Sequence, residues 1–264
     1  MNKNYLLDNA RPEAGARFKA ISTLFDRWTF AQIEALGIAP GWRCWEVGAG
    51  GVNIPEWLAA RVAPAGRVLA TDIDTVWAST ATSQGVDVRR HDVAKDPPLW
   101  TELDLVHARL VLVHVPERER RALRHMIASL KPGGWLLIED ADPALQSLAC
   151  PDAHSSESLL ANKIRDGFRR LMKERGVDLS YGRKLPRLLR DAGLTDVAAE
   201  AFFPVTHSAG AILERATVEM LRPQLSAASL ATEEEIERHL ANLDAGGVDL
   251  TTAPLISARG RKAH

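Results

Sequence analysis

The chain has 264 residues, 46% hydrophobic and 25% charged, enough apolar material for a full core in one large domain or one domain with a cap. Thirty-three basic against 34 acidic side chains leave a net charge of -1, which excludes a global field for nucleic acid or an anionic membrane. The start, MNKNYLLDNARPEAG, holds no signal-peptide core, no later run approaches the roughly 20 apolar residues of a spanning helix, and Cys44 and Cys150 lack disulfide or zinc spacing; a cytoplasmic protein without a structural metal is expected.

Residues 12 to 36 carry Phe18, Ile21, Leu24 and Phe25, then Phe30, Ile33 and Leu36, at helical spacing, predicting one or two helices ahead of the first strand. From Gly41 the chain alternates β-rich and helical runs: RCWEV, IPEWLAARV, RVLATD, GVDVRR, LDLVHARL, ERERRALRHMIASL and WLLIED. Strands separated by helices of this length predict parallel βαβ units, with Cys44 a small core residue and LKPGG, at residues 130–134, the clearest helix stop. Beyond Ala141, SSESLLANKIRDGFRRLMKERG and RKLPRLLRDAGL read as helices, VAAEAFFPV as a strand, and two further helices follow, the second opening on Thr232 and Glu235 in capping-box spacing. TTAPLISARGR closes as a final strand. No repeat or linker separates two domains, so the late helices are expected as insertions into one sheet fold.

The run CWEVGAGGVN is a strand entering a glycine turn and a helix, the place where an open parallel sheet binds its ligand. Gly48 and Gly50 permit close backbone approach, and Asn53 is expected to cap the helix. A dinucleotide fingerprint would need a third glycine where Asn53 stands, and no G-K-[ST] follows for a phosphate loop. Glu46, pointing into the turn, would repel a pyrophosphate and suit an ammonium or sulfonium. Asp72 lies 22 residues past Gly50, where a carboxylate at the second strand's end accepts ribose hydroxyls; Asp74 competes with it for that role. Asp92, ending the third strand, suits an adenine amino group, with Val93 beside the ring; a plain turn former is the competing reading.

The set EVGAGG, GRVLATDID, RRHDV, DLVHARLVLVHVPE and LKPGGWLLIED, spanning roughly residues 40 to 142, resembles the class I S-adenosylmethionine-dependent methyltransferases, in particular the small-molecule group abundant in actinobacteria. The resemblance implies an α/β, Rossmann-like, seven-stranded, mostly parallel sheet with helices on both faces, the last strand antiparallel, and helical cap insertions. It implies one methyltransferase domain over 1–264, with an N-terminal helical lid at 1–40, a cofactor-binding core at 41–142, and the remaining sheet with its insertions at 143–264. Carried over by position, Glu46, Gly48, Ala49 and Gly50 line the methionine side of S-adenosyl-L-methionine; Asp72 and Ile73 hold the ribose and flank the adenine; Asp92 and Val93 take the adenine amino group and face. Arg109 stands near the sulfonium end, with a structural ion pair as its alternative. Val52 departs from the pattern, where relatives often carry another glycine.

Catalytic residues are less legible. Methyl transfer rests on alignment and desolvation, and a base is needed only when the acceptor loses a proton. His114, just beyond the fourth strand, suits that role, against a reading in which it fixes the loop before a helix at Glu117. Glu139, Asp140 and Asp142 end the fifth strand as pocket candidates; the last two could contribute to a magnesium site, but no ligand spacing is convincing and no metal is expected. His154 and His207 lie in the late segments and could face substrate, and Tyr5 could close over the cofactor, with a frayed terminus the favoured reading. The lid is expected from the N-terminal helices and residues 143 to 195 and 209 to 245, and Trp28, Phe30, Phe168 and Leu171 point to an apolar acceptor or to ordinary core. The expected activity is methylation of a small organic acceptor, with oxygen favoured. A binder that is a non-methylating catalyst or a sensor is the alternative, and an NAD-dependent oxidoreductase is disfavoured by Glu46 and Asn53. No basic stripe or target-base motif supports nucleic acid. A homodimer is compatible with the resemblance, with no interface legible.

Overall fold

The computed structural model describes residues 6, 13–81, 83–115, 118–205 and 208–264. The first helical run forms one helix, α1 (Glu13–Ala35). The alternating region follows as β1 (Arg43–Val47), α2 (Asn53–Val62), β2 (Arg67–Asp72), β3 (Val86–Arg90), β4 (Leu103–Arg109), α3 (Glu119–Ser129) and β5 (Leu130–Ala141). Then come α4 (Ser156–Glu174), α5 (Tyr181–Asp191), β6 (Leu194–Phe202), α6 (Ser208–Ala227), α7 (Glu233–Asp244) and β7 (Leu255–Lys262). LKPGG does end a helix, but pairing resumes sooner than the glycines suggest. Leu130 already pairs with Leu103, and an irregularity intervenes before Trp135 meets Leu105.

The chain divides into two compact units. One comprises Asp26–Ala141, Tyr181–Phe202 and Leu255–His264, and holds a seven-stranded sheet in the order β3-β2-β1-β4-β5-β7-β6. β1 to β5 pair in parallel, whereas β7 runs antiparallel between β5 and β6. The winding therefore reverses between β1 and β4, at whose carboxyl ends the glycine turn sits. On one face, Cys44, Val68, Leu105 and Leu137 pack against Ile33 of α1, against Leu36 just after it, and against Ile54, Leu58 and Val62 of α2. Each such fully buried aliphatic side chain contributes about 1.5–3 kcal/mol by leaving water. Cys44 is buried as expected, and burial raises its thiol far above the ordinary range.

The other unit comprises the described parts of Met1–Phe25, with Asp142–Ser180 and Phe203–Pro254. The late helices thus have a core of their own, in which Leu160, Ile164 and Leu171 of α4 meet Leu221 and Leu225 of α6 and Ile236 and Leu240 of α7. Thr232 and Glu235 form the expected capping box, and Ser155 and Ser158 form another at α4. Inside this core Arg165 donates to Glu214 at 2.6 Å. Burial opposes that carboxylate, but the guanidinium and His239 hold it down to about 2. The segment read as a lid from 143 to 195 is split between the units, because α5 packs on β6 and β7.

That packing depends on Gly182. A Cβ there would lie 2.8 Å from Ile256 Cγ1 and 2.9 Å from the Asp140 carbonyl oxygen, so α5 can approach the sheet only without a side chain at this position. Gly182→Ala is expected to destabilise the protein by about 1–3 kcal/mol through overpacking, read as a lower urea midpoint at unchanged slope.

Candidate functional site

The turn after β1 is shaped by two left-handed glycines, Gly48 at φ 65° and Gly50 at φ 60°. A Cβ on Gly48 would fall 2.3 Å from Val111 Cγ2, so the turn presses against the segment that follows β4. Two hydrogen bonds tie it to β2: Ala49 N–H donates to the Thr71 carbonyl at 3.0 Å and Gly50 N–H to Asp72 Oδ2 at 3.0 Å. Asp72 Oδ1 accepts from Asp74 N–H at 3.0 Å, so of the two candidate acids Asp72 is the one built into the turn. Burial lifts its carboxyl above the ordinary range, against the pull of those amides. With backbone amides of Gly50, Ile73 and Asp74 acting on its about four lone-pair sites, the carboxylate retains capacity for a hydroxyl donor. Directly beyond, Ile73 is 46% and Val76 67% exposed, two large apolar side chains that the core does not claim.

Asn53 does not cap α2. The cap position is Val52, without a side-chain bond, and Asn53 Nδ2 instead donates to Asp26 Oδ2 of α1 at 3.0 Å. Asp26 also receives Arg109 Nη2 at 2.8 Å, while Arg109 Nη1 donates to Thr29 Oγ at 3.0 Å. Arg109 is therefore committed to a buried ion pair at the end of β4, the alternative weighed for it from the sequence. Trp28 stacks on Phe202 and Phe30 on Trp57, and Phe168 and Leu171 belong to the core of the other unit; packing accounts for all four.

Glu46 is 1% exposed and turns sideways rather than into the glycines. Its Oε2 meets His107 Nδ1 of β4 at 2.5 Å, and His107 Nε2 meets Glu139 Oε2 of β5 at 3.2 Å. Burial alone would lower the imidazole, but the two carboxylates outweigh it and push its pKa up to about 9. Burial likewise opposes the Glu139 charge, and His107 outweighs that penalty to hold the carboxyl low. Burial keeps Glu46 raised against the same cation.

Asp92 lies near Asp72, since His91 N–H donates to the Asp72 carbonyl at 2.9 Å. Its carboxylate accepts from Ala94 N–H at 3.0 Å and pairs with Lys95 at 3.2 Å and Arg118 at 3.5 Å. Val93 is buried at 7% exposure, leaving little of it open to a ring. His114 closes a 3₁₀ turn over Leu112–His114, partly buried, its N–H on the Val111 carbonyl. Asp140 is wholly buried, and burial holds its carboxyl well above the ordinary range against the Val113 and Leu112 amides. Asp142 lies in the other unit, accepting from Leu145 N–H at 3.1 Å. His154 lies there also, exposed beside Asp152. Tyr5, Glu117 and His207 lie outside the described residues. Among the described residues, no group of three or more His, Cys, Asp or Glu could hold a metal ion, and no helix is long and apolar enough to cross a membrane.

His107, Asp26, Thr29 and Ser257 were not singled out from the sequence. The available signal was a histidine inside the apolar strand LDLVHARL, two residues before Arg109 and so on the same face.

A family model described as a methyltransferase domain matches residues 16–199. A curated relative, methyltransferase str2 of Strobilurus tenacellus, is 35% identical over 102 residues, covering 37% of this chain and 34% of that protein. The chain thus matches about a third of that relative's length. Among solved structures, phosphoethanolamine N-methyltransferase 2 of Haemonchus contortus, in complex with S-adenosyl-L-methionine, superposes with a TM-score of 0.58 at 15% identity over 95% of this chain and 57% of its own. The YcgJ protein of Bacillus subtilis gives 0.55 at 14% identity over 89% and 97%. Identities of this size establish likeness of fold.

The Arg109–Asp26 pair yields a direct expectation. Asp26→Ala leaves a guanidinium buried and unpaired and is expected to destabilise the protein by about 3–5 kcal/mol. Asp191→Ala, removing the exposed partner of Arg187, should leave the urea midpoint nearly unchanged.

Proposed function

The chain belongs to the methyltransferase-domain family, and from that premise we propose that it is an S-adenosylmethionine-dependent enzyme transferring a methyl group to a small organic acceptor, with oxygen the favoured atom. The observation that carries the reading is the glycine turn pinned to Asp72, with Ile73 and Val76 exposed directly beyond it. A carboxylate with spare lone pairs suits vicinal ribose hydroxyls, and exposed aliphatic side chains beside it suit a purine face. The family resemblance adds to this, and the S-adenosyl-L-methionine in the Haemonchus contortus structure accords with it.

When bound, S-adenosylmethionine supplies a methyl group on a sulfonium that is already a good leaving group. The remainder falls to the chain. Gly48, Ala49 and Gly50 let backbone approach the methionine portion; Asp72 accepts the ribose hydroxyls; Ile73 and Val76 cover the adenine. Asp92 takes the adenine amino group while shared with Lys95 and Arg118. Arg109 contributes by holding α1 at the end of β4 rather than by touching the methyl group. His114 accepts the proton that a hydroxyl acceptor must lose. Alignment and exclusion of water supply most of the acceleration.

Incubation of the protein with methyl-labelled S-adenosylmethionine and a panel of small phenols, alcohols and amines is expected to give S-adenosylhomocysteine and labelled product in equal amounts. Asp72→Ala should lower kcat/KM about 10- to 100-fold, mainly through the cofactor KM, as expected for lost hydrogen bonds to a charged group. Tight cofactor binding without turnover on every acceptor would contradict methylation.

A further inference from the structure

The buried group around His107 has hydrogen-bond directions that its chemistry fixes. Trp28 Nε1 can only donate, and it donates to Ser257 Oγ at 2.7 Å, so the single hydroxyl proton of Ser257 goes to Glu139 Oε1, 2.5 Å away. Arg109 likewise can only donate, and it occupies Thr29 Oγ at 3.0 Å, so the Thr29 proton goes to Glu139 Oε2 at 2.5 Å. Glu139 therefore accepts from both hydroxyls and, held low against burial by the imidazole and Arg109, is ionised. Its third partner, His107 Nε2, then donates; one proton lies between Nδ1 and Glu46 Oε2 at 2.5 Å, and the upward shift of the imidazole between two carboxylates puts it on the ring. Every neighbouring element contributes: Glu46 from β1, Glu139 from β5, Arg109 from β4 itself, the Asp26 that neutralises Arg109 from α1, and only the uncharged Ser257 from β7.

We propose that His107 is a positioning residue for the cofactor turn: as an imidazolium clamped between Glu46 and Glu139, it fixes the end of β1 from which Gly48 and Gly50 depart and links that end, through Glu139 and Thr29, to α1. The proposal rests on the cofactor reading given above. Without the Nδ1 proton the ring is neutral, Glu46 loses both its hydrogen bond and the buried cation that offsets Glu139, and the strand end that carries the turn loses its lateral hold. The imidazole pKa of about 9 sets the range. A group raised on folding contributes fully below its ordinary value near 6.5, and its contribution is lost as pH rises through about 9.

The test is calorimetric binding of S-adenosylhomocysteine to the full chain between about pH 6 and 10, with the titration of the ligand's own amine measured separately and removed. The wild-type protein is expected to hold its affinity to about pH 8 and lose it through about 9. His107→Gln should bind about tenfold more weakly at neutral pH and show no alkaline loss. Glu139→Gln, which removes one of the two carboxylates, should move the loss to lower pH by a unit or more; this variant and the wild-type profile decide the matter if His107→Gln does not fold. A wild-type affinity that does not fall at alkaline pH, or a Glu139→Gln profile superimposable on the wild type, overturns the proposal while leaving the cofactor reading intact. No binding by the wild-type protein at any pH overturns both.

Discussion

Three ionisable side chains, Glu46, His107 and Glu139, stand side by side on β1, β4 and β5 with almost no exposure, and the rest of the sheet unit is arranged to make that possible. Burying such groups costs several kcal/mol each unless every proton and lone pair is matched. The match here draws in a hydroxyl from α1, a hydroxyl from β7, an indole and a guanidinium. The polar group thereby locks α1 to the sheet at the place where the winding reverses. A sheet built only from Val, Leu and Ile would pack as well, but it would not hold α1 and the strand ends in this register.

That lock lies beside the elements that form the candidate ligand site. β1 leaves Glu46 and turns at once through Gly48, which contacts Val111; β4 leaves His107 and reaches Arg109, whose partner Asp26 also holds Asn53 at the start of α2. Asp72 closes the turn from the β2 side. The strand ends and the first turn of α2 are consequently connected by short polar bonds on one side and left with exposed aliphatic side chains, Ile73 and Val76, on the other. Such a division suits a ligand with a polar sugar and an apolar base.

Much of this was legible in the sequence because it is local. Alternation of RCWEV, RVLATD and LDLVHARL with helical runs gave the parallel core, and the spacing of Thr232 and Glu235 gave a helix start that formed as read. The place of Asp72 at a strand end was legible, and its bond to Gly50 builds it into the turn. The bonds that were not legible are distant in the chain: Arg109 finds Asp26 83 residues away, and Glu139 finds Ser257 118 residues away. Asn53 looked like a cap because its type favours that position, yet a carboxylate on α1 offered its amide a better partner than the helix end did. Glu46 looked directed at the turn because nothing in EVGAGG reveals that His107 lies beside it. The late helices have a core of their own because α4, α6 and α7 each carry an apolar face that packs on the others.

The turn between β1 and α2 is proposed to hold S-adenosylmethionine rather than a dinucleotide. The most direct test is calorimetric titration of the purified, cofactor-stripped protein with S-adenosylmethionine beside NAD. The account predicts saturable micromolar binding of the sulfonium compound and none of NAD. Binding of NAD alone, or of neither, would contradict it.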